Sequence, residues 1–547
     1  MGLVLTMLLA AAVSEPTYDL VLAGGRVIDG SGAPWFRADV GIVGDRIGAI
    51  GDLSRARFKR RLDLGGLYVA PGFIDMLGQS EYNVLVDPRA ASKITQGITS
   101  EITGEGTAIA PLSAAMIDDA RAVYEHYGVK PDWTTLAGYW HAFERARPAI
   151  NLGTFVGAGG VREHVMGNDN RPALPAEIEK MKALVAQAMQ EGALGLSTSL
   201  IYVPGRYAST AEIVALAKVA RSHGGTYITH QRDEGDAIDK SLDEVFRIAR
   251  EADIPTEIYH LKTAGRANWG RMPAVLKRIE AARAEGLDVS ADQYPWTASA
   301  NALEAALPTW VREGGRKKLV ERLLDPGLRE RVKADLLAEN PRWDETSASA
   351  ILITSVLNPA LKKYEGRTLV EIGRDEGKSP RDAAIDLLIA DGANVGRITF
   401  TMNEADVRAA LAHPLVSMCT DSGASAEDGI FSKEGAHPRA WASTARILGK
   451  YVRDEKLLPL EEAVRKMTSL PASRMRLWDR GQLRPGAYAD IVVFDLARVR
   501  DVSTYANPNH YSEGFVHVAV NGKLVVDAGQ LTGARPGRPL YGPGRRP

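Results

Sequence analysis

The chain has 547 residues, of which 45% are hydrophobic and 25% charged, the proportions of a globular protein able to bury a large core. Its 67 Lys and Arg stand against 68 Asp and Glu, so no charge excess points to nucleic acid or an anionic membrane surface as partner. A single cysteine, Cys419, excludes an intramolecular disulfide and a metal site of several thiolates. Any metal must rest mainly on His, Asp and Glu.

The first feature in chain order is Leu3–Val13, an apolar run ending in small residues. About 11 residues are too few to span a bilayer but match the core of a signal peptide. Only Met1 and Gly2 precede it, without the usual basic residues. Residues 1–15 are read as a signal peptide, which implies a periplasmic or secreted protein; the other reading is a buried N-terminal tail on a cytoplasmic one. No later stretch is long and apolar enough for a membrane helix. From Tyr18 to Val69, segments such as Tyr18-Asp-Leu-Val-Leu-Ala and Ala38-Asp-Val-Gly-Ile-Val are β-rich and punctuated by Gly and Asp. The far end mirrors them, with Ala489-Asp-Ile-Val-Val-Phe and two strands flanking Asn521-Gly522, a hairpin signal. Residues 16–67 and 477–535 are therefore expected to form one small β-sandwich domain built from both chain ends.

Between these ends strand and helix alternate. Strands are expected at 68–76, 99–103, 151–156, 193–198, 226–230, 256–260, 288–291 and 415–420. Stretches 176–191, 210–223, 241–251 and 271–285 carry apolar residues at helical spacing. Eight βα units in succession predict an α/β fold, a (β/α)8 TIM-type barrel over residues 68–476, with its chemistry at the C-terminal ends of the strands. A helical, charged segment at about 301–345 breaks the rhythm and is read as an insertion. Residues 536–547, rich in Pro, Gly and Arg, are read as a disordered tail.

The barrel directs attention to its strand ends. His230 closes the fifth strand and His260 the sixth, and two imidazoles on adjacent strand ends can converge on one zinc ion. A lone histidine is more often a structural hydrogen-bonder; the paired placement separates these two from the rest. His413 precedes its strand and belongs to the opposite, stability face. Asp421 follows the eighth strand in Met418-Cys-Thr-Asp-Ser-Gly. There a carboxylate can take a proton from an attacking water and return it to a leaving nitrogen, although an aspartate before Ser and Gly also suits an ordinary turn. Cys419, inside the strand, is read as barrel core.

The order of local motifs resembles the amidohydrolase superfamily and, within it, the N-acyl-D-amino-acid deacylases (D-aminoacylases). The matches run over nearly the whole chain, from Ala70-Pro-Gly-Phe-Ile-Asp and Lys93-Ile-Thr-Gln-Gly-Ile-Thr through Gly195-Leu-Ser-Thr-Ser-Leu-Ile-Tyr, Thr229-His-Gln-Arg-Asp-Glu and His260-Leu-Lys. They continue with Asp292-Gln-Tyr-Pro-Trp-Thr-Ala, Leu307-Pro-Thr-Trp-Val, His437-Pro-Arg-Ala-Trp and Leu483-Arg-Pro-Gly-Ala-Tyr-Ala-Asp-Ile-Val-Val-Phe-Asp. Two departures bear on mechanism. The superfamily's His-x-His after the first strand falls on Leu77 and Gln79, neither a serviceable ligand, so the first of two possible metal positions is expected to be absent. The deacylases' metal-binding cysteine falls on Glu105. With His230 and His260 it would make a two-His, one-Glu set, an arrangement found at catalytic zinc sites.

The resemblance further implies that Arg439 and Lys262 hold the substrate's α-carboxylate, and that Tyr202 and Tyr294 line the pocket and donate to carboxylate or carbonyl oxygen. The expected reaction is single-metal hydrolysis of the amide bond of N-acyl amino acids, most naturally of D configuration, with one Zn2+ per chain and Asp421 as the proton-transfer group. Three other readings are a dipeptidase for D-configured or unusual peptides, a cyclic-amide hydrolase, and a catalytically inactive barrel that binds or scaffolds. Cyclic-amide hydrolases usually keep the His-x-His and a bridging lysine, both missing here. An inactive scaffold would have no reason to retain three convergent ligands and Asp421.

Overall fold

The computed structural model describes residues 17–339 and 345–546. The expected signal peptide lies outside the described residues. Four strands open the chain, β1 (Tyr18–Val27), β2 (Phe36–Val43), β3 (Arg46–Gly51) and β4 (Phe58–Asp63), followed by β5 (Tyr68–Pro71). In β1 the period of two sends Leu20 and Leu22 into one apolar cluster and Val21 and Ala23 into another.

The parallel strands follow. They are β6 (Phe73–Asp75), β7 (Ile98–Thr103), β8 (Asn151–Thr154), β9 (Val156–Gly157), β10 (Gly195–Ser199), β11 (Thr226–His230), β12 (Thr256–Ile258) and β13 (Val289–Gln293). β6, β7 and β8 pair in parallel order, and a second parallel run links β9 through β13 in sequence. Every residue of these strands is buried, as strands covered by helices on their outer face require. Helix Ile238–Ala252 shows why. Ile238, Leu242, Val245 and Ala249 recur every three or four residues and pack with Met272, Val275 and Ile279 of the next helix and Ile258 of β12.

An excursion separates β13 from the last parallel strand. The sequence reading confined it to a helical segment at about 301–345. Instead it spans β14 (Ser299–Ala302), helices Gly315–Leu324 and Pro326–Glu339, β15 (Ile351–Ser355) and β16 (Gly396–Thr399). The three strands form an antiparallel sheet in the order β14-β16-β15. Leu303, Val311, Ile351, Ile353, Leu388 and Val395 belong to an apolar cluster separate from the others. These short apolar runs had no place in a count of barrel strands because they pair with one another.

β17 (Val416–Met418) then joins the second parallel run beside β13. Its C-terminal end meets the end of β6: Met76 N–H donates to Met418 O, Asp421 N–H donates to Leu77 O, and Gly78 bridges in parallel to Ser422. The two parallel runs are thus stitched together at the place where Leu77, Gln79 and Asp421 lie. β18 (Ile491–Phe494), β19 (Phe515–Val520), β20 (Lys523–Asp527) and β21 (Gln530–Leu531) return to the first sheet, β18 pairing with β5. Both chain ends therefore build one nine-stranded sheet.

Residues 536–546 do not form the disordered tail that their composition predicts. Leu540 is buried and its N–H donates to Leu152 O, Leu152 N–H donates to Arg538 O, and Arg546 N–H donates to Gln190 O. The Tyr541 ring meets Trp140 edge-on. Two apolar side chains with a strand and a helix to cover outweigh the Pro, Gly and Arg around them.

Lys93 lies wholly buried beneath the junction of β6, β7 and β17. Its Nζ contacts Asp75 Oδ2 (2.7 Å), Thr420 Oγ1 (2.6 Å), Ser422 O (2.7 Å) and Glu101 Oε1 (3.3 Å). Removing the cation would leave two buried carboxylates without their counter-charge. Lys93→Met is expected to cost about 3–5 kcal/mol of stability, read by chemical denaturation; a loss below 1 kcal/mol would contradict this account.

Candidate active site

Glu105, His230 and His260 converge. His230 is the last residue of β11 and His260 follows β12, so adjacent parallel strands deliver both imidazoles to one end of the sheet. Glu105 reaches them from the loop after β7, where Gly104 (φ +95°) and Gly106 (φ +66°) are left-handed. A Cβ on Gly106 would lie 2.2 Å from Ser199 Cβ, so the loop approaches β10 too closely for a side chain. Ser197 fastens it, its Oγ accepting from Gly106 N–H (3.1 Å) and donating to Gly104 O.

Three facing atoms form a small triangle. Glu105 Oε1 lies 2.8 Å from His230 Nδ1, His230 Nδ1 lies 2.9 Å from His260 Nε2, and His260 Nε2 lies 3.6 Å from Glu105 Oε1. Tetrahedral zinc with ligands at about 2.0–2.1 Å spaces them about 3.3 Å apart, and the triangle brackets that value. Among the described residues this is the one group of three or more His, Cys, Asp or Glu side chains close enough to share an ion. The donor set therefore fits a single divalent cation. Burial opposes ionisation of Glu105, but hydrogen bonds and charge from the two imidazoles hold its carboxyl well below the usual range.

Further groups brace the triangle. Ser199 Oγ donates to Glu105 Oε1 (3.2 Å) and Gln79 Nε2 to Glu105 Oε2 (3.2 Å). Glu234 stands behind both imidazoles, with Oε1 3.1 Å from His260 Nδ1 and Oε2 3.6 Å from His230 Nε2. His230 Nε2 is buried without a hydrogen-bond partner. Burial opposes the charge on Glu234, yet Lys262 and the imidazoles keep it well below the ordinary carboxylate range. A carboxylate in this position fixes ring orientation and leaves the opposite nitrogen free as a ligand. Sequence reasoning missed Glu234 as a functional residue. Its only trace in the sequence is the interval His230-x-x-x-Glu234, within the quoted Thr229-His-Gln-Arg-Asp-Glu, which by itself does not tell a brace from a surface acid.

Asp421 sits beside the triangle, 6% exposed, in a left-handed conformation (φ +50°). Its Oδ1 accepts from Gln79 Nε2 (3.0 Å) and its Oδ2 pairs with Arg439 Nη1 at 2.7 Å. Burial and the charge of Glu105 push its carboxyl up, against Arg439 and His260. His260 too holds a positive φ, +33°. Strained backbone at two neighbouring polar residues is the kind of outlier that concentrates at functional sites. Gln79 thus bridges Glu105 and Asp421. Leu77 is fully buried, and a Cβ on Gly78 would fall 1.7 Å from Glu101 Oε1. No imidazole pair is offered at this turn.

The remaining predicted residues also gather here. Lys262 Nζ contacts Glu234 Oε1 (2.7 Å) and His260 Nδ1 (2.8 Å). Tyr294 is fully buried, with the Arg439 guanidinium 4.7 Å from its ring centre. Tyr202 meets His230 edge-on at 5.4 Å. Arg439 and Lys262, expected to meet a substrate carboxylate, are both engaged by internal carboxylates. Glu105, Tyr202, His230, His260, Lys262 and Asp421 all line one cavity of about 650 Å³, a size that holds a small molecule. A second cavity of about 340 Å³ shares Gln79, Ala300, Asn301 and Asp421 with it and includes Arg439. Cys419 is buried beside Asp292, away from the triangle. His413 bonds Glu280 (3.0 Å) and takes no part in the site.

A carboxylate just outside the ligand shell offers a pH test. Glu81 Oε1 accepts from Gly104 N–H (2.8 Å), and burial raises its carboxyl to about 7 from 4.5. The folded chain therefore holds this proton more tightly than the unfolded chain. Its stabilising contribution is complete below about pH 4.5 and is lost as pH rises through about 7. Glu81→Gln should gain stability relative to the parent across that window, measured as the difference in unfolding midpoint at pH 5 and pH 8. A constant difference would refute the assignment.

Residues 392–526 match the family model described as the amidohydrolase family. Over 96% of its length the chain is 38% identical to a D-aminoacylase of Alcaligenes xylosoxydans xylosoxydans, covering 98% of that protein. The chain belongs to the amidohydrolase family. An N-acyl-D-glutamate deacylase of the same organism is 39% identical over 95% of the chain and 96% of its own length. Among solved structures, a D-aminoacylase superposes with a TM-score of 0.80 at 37% identity, covering 96% of this chain and 100% of its own. The N-acyl-D-glutamate deacylase of Bordetella bronchiseptica, complexed with zinc and a phosphonate mimic of the tetrahedral intermediate, gives 0.81 at 32% with the same coverage. This amidohydrolase shares with a D-hydantoinase, at 14% identity and a TM-score of 0.53, the fold alone.

Proposed function

We propose that this amidohydrolase is a zinc-dependent N-acyl-D-amino-acid deacylase that hydrolyses the amide to a carboxylic acid and a free D-amino acid. The observation that carries the reading is the triangle of Glu105 Oε1, His230 Nδ1 and His260 Nε2 with Asp421 tied to it through Gln79. The near full-length likeness to D-aminoacylase and N-acyl-D-glutamate deacylase supports the substrate class. The stitching of β17 to β6 supports a closed (β/α)8 barrel over about 68–476, with residues 16–67 and 477–535 as a β-sandwich beside it. Export is proposed on Leu3–Val13 alone.

Glu105, His230 and His260 would hold one divalent ion, which when bound would supply a Lewis acid for the amide carbonyl and acidify water. Asp421 accepts the proton of the attacking water and passes it to the departing amine nitrogen. Arg439 and Lys262 receive the substrate's α-carboxylate, which requires Arg439 to share itself between substrate and Asp421. Tyr202 walls the pocket and orients the acyl oxygen, while Tyr294, fully buried with its hydroxyl toward Met402, backs the Arg439 guanidinium. Gln79 bridges Asp421 and Glu105 at the turn where the superfamily's His-x-His would fall, which supports a site for one ion rather than two. By contrast, a D-aminoacylase with a binuclear centre is described as activated by one metal and attenuated by a second.

The test is a panel of N-acetyl-D- and N-acetyl-L-amino acids offered to the zinc-loaded protein, with released amine as the readout. Cleavage of the D series over the L series is expected. Zinc-loaded protein that cleaves neither would overturn the reading.

A further inference from the structure

The larger cavity has more apolar wall than a short acyl group can cover. It holds about 650 Å³, whereas an acetyl group ends one carbon beyond the amide carbonyl. Beside the polar residues of the triangle, the wall carries Leu112, Met116 and Val123 from the connection between β7 and β8, and Leu319 from helix Gly315–Leu324. Leu112 and Met116 belong to the main apolar cluster and Leu319 to the separate cluster of the excursion. The cavity therefore opens at the seam between two cores. Tyr82 and Tyr124 also line it, and their hydroxyls bond each other at 2.8 Å. With those polar tips paired, the two rings offer carbon to whatever enters.

A helix gives the length scale. Helix Ala158–Met166 starts against the metal loop, where Gly160 N–H donates to Gly106 O (3.1 Å). At a rise of about 1.5 Å per residue, Met166 lies about 9 Å farther along the axis. Glu163 in this helix, and Asn168 just past its end, line the same cavity as Glu105. The space thus runs on from the triangle for several carbon lengths.

The carboxylate contact sets which half of a substrate faces it. Arg439 lines the smaller cavity and not the larger, and Asp421 lines both. Lys262 Nζ stands 2.8 Å from His260 Nδ1, at the triangle rather than among the apolar residues. With the α-carboxylate drawn to Arg439 and the amide at the triangle, the acyl half extends into the larger cavity.

We propose that the larger cavity is an acyl-chain subsite, which makes N-acyl-D-amino acids with unbranched apolar acyl chains of medium length better substrates than the N-acetyl compounds. This rests on the deacylase reading and adds a choice of acyl group that the reading does not contain.

N-acetyl-, N-butyryl- and N-hexanoyl-D-alanine test it on the zinc-loaded full chain. Full burial of one methylene is worth about three- to fourfold in affinity, so kcat/KM should rise along the series and reach at least about tenfold for hexanoyl over acetyl. Val123 is half-buried on helix Arg121–Tyr127. Val123→Asp sets a charge in the wall and should pull the hexanoyl-to-acetyl ratio toward one, whereas Val123→Leu should keep it high. The ratio is the readout, with zinc content and unfolding midpoint measured on each variant. A ratio unmoved by Val123→Asp would take the acyl chain out of this cavity. A second arm lengthens the amino acid instead, N-acetyl-D-norleucine against N-acetyl-D-alanine. Should the gain follow the side chain and not the acyl chain, the assignment is overturned. Equal kcat/KM across the acyl series overturns it too and leaves the deacylase reading intact. Failure to release amine from any N-acyl-D-amino acid overturns both.

Discussion

Asp421→Asn should keep its metal and lose about 10²–10⁴-fold in kcat, the range contributed by a positioned acid–base group. The asparagine retains the shape of the side chain and tolerates the left-handed backbone (φ +50°) that Asp421 adopts. It also keeps an oxygen for Gln79 Nε2, so the turn against Leu77 has no reason to move. What it removes is the ability to take a proton. Burial lifts the Asp421 carboxyl against the opposing charge of Arg439, 2.7 Å away, a direction that suits a group required to accept a proton and give it back. Steady-state kinetics beside metal analysis of the same preparation separate the two effects. Full turnover in the variant would assign proton transfer elsewhere, and loss of metal would make Asp421 a ligand.

Removal of Glu105 should act on the metal first. The triangle supplies three donor atoms, and Glu105→Ala leaves two imidazoles 2.9 Å apart at their facing nitrogens without the anionic donor that completes the set. Zinc content is expected to fall from about one per chain to well below one, with activity falling in proportion, because a catalytic site of this class needs three protein ligands. Glu105→Cys supplies a thiolate at the same position and should recover metal binding, at the slightly longer zinc–sulfur distance of about 2.3 Å. Retention of full zinc by Glu105→Ala would move the metal to other ligands. Recovery of zinc without turnover in Glu105→Cys would show instead that the carboxylate does more than bind.

The parallel strands and the two histidines were legible because strand periodicity and strand-end placement are local properties. His230 and His260 each end a five-residue run whose pattern needs no distant partner to be read. Glu105 was legible only through resemblance, since a glutamate between glycines has no local signature of ligation. Glu234 stayed hidden for a related reason. Its role depends on two imidazoles from different strands turning their back nitrogens toward it, and the interval from His230 does not reveal that. The extent of the insertion was misjudged because β15 and β16 pair with β14 rather than with the parallel run.

The sequence by itself determined which side chains are available: one cysteine, two strand-end histidines, an aspartate after the last parallel strand, and no histidine at Leu77 or Gln79. It also determined the alternation of strand and helix, because hydrophobic period is written residue by residue. Only the tertiary structure decided the pairings: Gln79 between Glu105 and Asp421, Arg439 already committed to Asp421, and Lys93 buried between two acids. Which charges meet is fixed by contacts hundreds of residues apart, and the cost of burying a charge depends on that meeting rather than on the residue's neighbours in the chain.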